Sequence, residues 1–127
     1  MKKAEQTLPP EEREARLLST AGLAARARKT VIGTTLICDG IRTGQILLIL
    51  EASDSSDNTH KRLSDKATFY GVPLYRLSVD GERLASSFGK RDGRIAAVGI
   101  TDSGIIRAMK KYLPEEPQNA DASGTDI

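Results

Sequence analysis

The chain predicts an α/β fold, a three-layer α/β/α sandwich around a four-stranded mixed sheet. Short β-branched or apolar runs alternate along it with longer segments of helical period. One run, QILLILEA over residues 45–52, is almost wholly apolar without alternation, as suits a central strand covered on both faces. Such alternation implies crossover connections and a largely parallel sheet, whose two faces the connecting helices must cover.

The elements follow in order. Residues 11–29 place Ala15, Leu18, Ala21, Leu23, Ala25 and Ala27 among helix formers, behind a Pro9-Pro10 pair that suits a helix start. Residues 30–32 are a short β-branched strand. Gly33, Thr34 and Thr35 then open a second helix that stops near Thr43 and Gly44. After the central strand and a polar loop over 53–57, residues 58–70 read as a helix closed by Gly71, and 72–77 as a strand with Pro73 near its start. A short helix over 81–88, a basic turn over 89–94 and a strand over 95–100 complete the sheet. Asp102 or Ser103 caps a last helix that ends near Leu113. The domain therefore spans 11–113, between an N-terminal extension (1–10) and a tail (114–127) expected to be acidic and disordered, since its composition buries too little to offset ordering entropy.

Charge is informative once it is located. The formal net charge is +2, from 19 basic and 17 acidic residues. Four of those acids (Glu115, Glu116, Asp121, Asp126) lie in the tail, which has no base, so the domain is distinctly basic. That excess fits a polyanion partner. With no signal-like apolar stretch near the start, an unpaired cysteine and no run near the roughly 20 residues a membrane helix needs, a cytoplasmic protein without membrane contact is expected.

Catalytic side chains are scarce. The single histidine, His60, lies in a polar segment and reads as a solvated surface residue; the single cysteine, Cys38, sits between apolar helix positions and reads as a small buried side chain. Metal-ligand spacings such as C-x-x-C are absent, and Asp54 and Asp57 read as caps at a helix start. Neither an enzyme nor a cofactor nor a small-molecule substrate is expected. Two segments suit an anion. One is the strand-to-helix turn at Gly33, Thr34 and Thr35, near Arg26, Arg28 and Lys29; the other is the turn carrying Gly89, Lys90, Arg91 and Arg94. The aromatic residues Phe69, Tyr70, Tyr75, Phe88 and Tyr112 are spaced as core or helix-end residues rather than as a base-stacking platform.

Leu17-Leu18, Ala24, Arg26-Ala27, Lys29, Gly33, Ile41-Arg42 and Gly44, with Ala52, Asp54, Asn58-Thr59, Lys66, Tyr70, the run VPLY over 72–75, Gly89-Lys90 and the turn TDSG over 101–104, resemble the kink-turn-binding ribosomal proteins of the L-seven-Ae and L-thirty-e type, specifically short stand-alone bacterial members. The resemblance covers about residues 16–113. It implies an RNA-binding protein associated with the ribosome, a monomer without catalysis, that holds the bend of a kink-turn through the Gly33 helix start and the basic turn. The site it implies comprises Lys29, Gly33, Thr34, Thr35, Leu36, Asp39, Gly89, Lys90, Arg91 and Arg94. Two departures stand out. Where the archaeal and eukaryotic pattern has asparagine, glutamate and lysine, this chain has Thr35, Leu36 and Asp39, which remove polar groups and add a charge that repels phosphate. Arg28 occupies a position where bacterial relatives tend to have glycine. A protein-interaction module that has kept the fold and lost specific RNA readout is the alternative.

Overall fold

The computed structural model describes residues 8–90, 93–114 and 116–119. Its elements are α1 (Pro10–Arg26), β1 (Thr30–Ile32), α2 (Thr34–Arg42), β2 (Leu48–Glu51), α3 (Asp57–Tyr70), β3 (Leu74–Arg76), α4 (Gly81–Ser87), β4 (Ala97–Ile100) and α5 (Ser103–Met109), which runs into a 3-10 turn, Lys110–Tyr112. The strands form one sheet in the order β1-β4-β2-β3.

Local chemistry explains most boundaries. Prolines open α1, and Glu11 and Glu12 in its first turn meet the positive end of its dipole. Ser56, Asp80 and Asp102 cap α3, α4 and α5 by accepting from the backbone N–H three residues on. Gly71 ends α3 in the left-handed conformation, with φ of 73°.

The sheet is four-stranded and mixed, as expected, but mostly antiparallel rather than largely parallel as the alternation suggests. Only β2 and β3 run parallel, joined by the α3 crossover; β4 lies antiparallel between β1 and β2. Pairing of β4 with strands that precede it by some fifty residues or more is a tertiary choice, and no local period encodes it. Alternation along the strands divides the core in two. Leu48, Leu50, Val98 and Ile100 face α1, α4 and α5, while Ile49, Leu74 and Ala97 face α2 and α3. Each fully buried Leu or Ile contributes about 1.5–3 kcal/mol of transfer free energy. On the second face Ile46 fills space left by two glycines: a Cβ on Gly40 or on Gly99 would lie 2.6 Å from its side chain. These glycines let α2 approach the sheet closely.

The tail departs from expectation close to the domain. The Gln118 N–H donates to Leu74 O (2.7 Å), and the buried Asn119 side chain accepts from Leu74 N–H (3.2 Å) and donates to Val72 O (2.9 Å). Residues 118 and 119 thus satisfy the open edge of β3, which a polar, apolar-poor composition does not reveal. The rest of the acidic tail, from residue 120, lies outside the described residues.

Candidate nucleic-acid interface

Strand register gathers several predicted features at one end of the sheet. Ile32 pairs with Val98, Glu51 with Ala97, and Glu51 with Arg76. The start of α2, the β2–α3 loop, the end of β3 and the approach to β4 therefore share that end.

Gly33 introduces α2 with φ of 114° and ψ of 127°, a backbone conformation that L side chains rarely adopt. Its carbonyl accepts from Ile37 N–H at 2.8 Å, which starts the helix. No side chain caps the terminus and no acid stands in its first turn. The leading N–H groups, beside the exposed Gly33, Thr35 and Leu36, are thus offered outward together with the positive end of the helix dipole. Leu36 is 60% exposed, an apolar side chain held in solvent. Asp39, one turn further, is exposed and pairs with Arg42 at 3.5 Å.

The cations are less concentrated than the sequence suggests. Lys29 stands before β1, where its carbonyl accepts from Thr101 N–H (3.0 Å), so the whole of β1 separates it from Gly33, about 13 Å of strand. Arg28 adopts φ of 61° in the turn that closes α1, the left-handed conformation that favours glycine. Arg94 does reach the Gly33 end, but it is paired with Asp54, whose other oxygen accepts from Gly81 N–H at 2.8 Å. Asp54 is thus no cap of α3; it ties the β2–α3 loop to α4 and to the approach to β4. Asp57 lies inside the first turn of α3, and Ser56 is the cap. Gly89, at φ 79°, closes α4: its N–H donates to Ser86 O and that of Lys90 to Ala85 O. Lys90 is exposed there, a helix of about 10 Å from Gly81. Arg91 lies outside the described residues.

The same end holds a polar cluster that residue types alone do not announce. Glu51 is fully buried, yet its carboxylate receives Ser55 Oγ and lies 2.8 Å from His60 Nδ1. His60 is accordingly half-buried and structural rather than a solvated surface residue. Serine and histidine both bind the carboxylate and not each other, so the trio is no nucleophile–base relay. Arg76 pins the loop above it, donating to Ser53 O at 3.1 Å. The available signal was the strand period: Ile49 and Glu51 point to one face, and a carboxylate there requires partners nearby. Cys38 is buried in the second core cluster, as expected. No group of three or more metal-binding side chains occurs among the described residues, and no described helix is long and apolar enough to cross a membrane.

Between α2 and α3 runs a groove of about 580 Å³, bordered by Thr35, Asp39, Arg62, Lys66, Phe69 and Tyr70. Phe69 is 80% exposed and Tyr70 42%, so of the two readings, core or helix end, these last residues of α3 take the second. The α3 face that carries Leu63 and Ala67 into the core turns Phe69 away from it. Tyr75, Phe88 and Tyr112, in contrast, pack against the first cluster.

No family model matches the chain. It is 41% identical over 92 residues to the RNA-binding protein YlxQ of Bacillus subtilis (strain 168), which spans 72% of this chain and 89% of that one. It is 31% identical over 96 residues to the RNA-binding protein YlxQ of Enterococcus faecium, over 76% of this chain and 89% of that one. Among solved structures it resembles a protein with unknown function from Bacillus halodurans C, with a TM-score of 0.71 and 31% identity over 77% of this chain and 96% of that one. The Giardia lamblia 15.5kD RNA binding protein has the same fold, with a TM-score of 0.64, at 15% identity over 80% of this chain and 91% of that one.

Proposed function

The chain belongs to the family of RNA-binding protein YlxQ, and from that premise we propose that it binds structured RNA without catalysis, through the start of α2 and the basic turn after α4. The observation that carries this reading is the α2 terminus. Gly33 provides a side-chain-free approach, the leading N–H groups have no side-chain cap, and no acid competes for the helix dipole. A phosphate docked there would satisfy donors that the fold leaves to solvent.

The proposed RNA is a kink-turn-like element, ribosomal in origin, met in the cytoplasm by a monomer. Readout of the bend is weak in this proposal. Leu36 has no polar group for a sheared base pair, and Asp39 brings a carboxylate to the same helix. Phosphate contact then dominates, and since Lys29 lies across β1 and Arg94 is engaged by Asp54, few cations act at once.

The test is a titration of the full chain and of a triple variant, Thr35→Asn with Leu36→Glu and Asp39→Lys, against a kink-turn hairpin and a plain duplex at two salt concentrations. Wild type is expected to bind both RNAs within about tenfold of each other, with affinity falling with salt at the modest slope that few neutralised phosphates give. The triple variant is expected to prefer the kink-turn by a further tenfold or so, the discrimination that one good polar pair supplies. A hundredfold preference in wild type overturns the weak-readout claim. Failure of both proteins to bind either RNA overturns RNA binding and leaves an interaction module.

A further inference from the structure

We infer that the groove between α2 and α3 is a second RNA subsite, which takes a single-stranded segment continuous with the RNA at the α2 terminus. This rests on the RNA-binding reading above. Arg62, Lys66 and Phe69 stand four and seven residues apart on α3 and form one stripe along the groove, about 10 Å long. Thr35, in the first turn of α2, borders the same groove, so a strand leaving that terminus enters it directly.

Charge favours a polyanion over an uncharged or basic occupant. The two carboxylates of the groove already have partners: Asp39 lies 3.5 Å from Arg42 and Asp65 3.0 Å from Lys61. Arg62 and Lys66 form no ion pair among the described residues. The lining itself holds two cations and two carboxylates, and because Arg42 and Lys61 engage the carboxylates from outside it, Arg62 and Lys66 are the charges available to phosphates.

The aromatic pair supplies the other half of single-strand recognition. Burial of a Phe side chain is a sizeable stabilisation, which the fold does not take at Phe69. Tyr70 meets the Phe69 ring edge-on, with centroids 4.9 Å apart and planes at 77°, which orients that ring while leaving it open to solvent. An exposed ring beside unpaired cations is the arrangement on which an unpaired base stacks while its phosphates are neutralised.

The experiment measures affinity of the full chain for the kink-turn hairpin with and without a six-nucleotide single-stranded extension, and for that extension alone. Wild type is expected to bind the extended hairpin about tenfold more tightly than the bare one, within the range for one stacked base. Phe69→Ala should abolish that gain and leave affinity for the bare hairpin unchanged; Phe69→Trp should keep it. Phe69 is so exposed that its truncation leaves the fold intact, which circular dichroism verifies. If the extension adds nothing in wild type, or if Phe69→Ala retains the gain, the inference is wrong and the aromatic pair falls to a protein partner. If wild type binds the extension through Phe69 but not the hairpin, the subsite stands and the structured-RNA proposal falls. Absence of binding to all three RNAs removes both.

Discussion

Two helices begin at the same end of the sheet and treat their first turns in opposite ways. The start of α3 is closed: Ser56 caps it by accepting from Thr59 N–H at 3.1 Å, Asp57 adds an acid to its first turn, and the Glu51 carboxylate lies beneath it, held by Ser55 and His60. The start of α2 is open, with a glycine before it, no side-chain cap and no acid in its first turn. Both termini present the same partial positive charge. The protein supplies the matching negative charge itself at α3 and leaves α2 unmatched. That separates the two termini: polar groups at α3 hold the fold, and the N–H groups at α2 are left to solvent, where the proposed function puts a phosphate.

The largest effect should come from breaking the closed side. His60→Ala takes a partner from a fully buried carboxylate, and because His60 is itself partly exposed the expected loss is about 2–3 kcal/mol, below the range for a fully buried pair. Urea unfolding measures it, and RNA affinity of the folded variant should stay within about twofold of wild type. A loss under about 0.5 kcal/mol would show the His60 contact to be idle and the comparison mistaken.

The second effect acts on the open side in both currencies. Gly33→Ala forces a Cβ onto φ of 114°, at an expected cost of about 1–2 kcal/mol, although space is not the obstacle, since the nearest atom would be Leu36 Cδ1 at 3.9 Å. The added methyl also stands at the proposed RNA approach, so affinity should fall about tenfold, the worth of one good phosphate or base contact. Unchanged affinity in a folded Gly33→Ala protein would place the RNA elsewhere.

The comparison also marks what was legible in the chain. Period and capping residues disclosed the layers, the strand-to-helix turn at Gly33 and the stops at Gly71 and Gly89, because these depend on the residues within one turn. What stayed hidden depends on partners distant in sequence. The antiparallel placement of β4, the Asn119 bonds to Val72 and Leu74, and the engagement of Arg94 by Asp54 span from about forty to seventy residues each, beyond any local pattern. Glu51 was legible in principle, as the one charged residue on the inner face of an apolar strand. Which of the many polar residues after it would be its partners, Ser55 and His60, was not legible. For Phe69 the residue types left core and helix end both open; aromatic residues are most often buried, and only the orientation of α3 reveals that this one, at the helix end, is not.

The smallest effect is the sharpest, because stability and binding should move in opposite directions. Thr35 is exposed in the first turn of α2, where an aspartate would supply the missing negative charge. Thr35→Asp should raise stability by about 0.5 kcal/mol through the helix dipole, with the gain shrinking as salt rises. The same carboxylate occupies the place proposed for a phosphate, so RNA affinity should drop about fivefold at low salt, and less at high salt. Unlike the triple variant, it adds an acid without an accompanying lysine. Thr35→Asn is the control, similar in shape and neutral, and should leave affinity near wild type while giving little dipole stabilisation. Thermal unfolding and RNA titration of the two variants then separate charge from shape. Equal losses of affinity in both would mean that the Thr35 hydroxyl, not the open dipole, contacts the RNA. Stabilisation by aspartate without any loss of affinity would mean that the α2 terminus is open for some reason other than RNA.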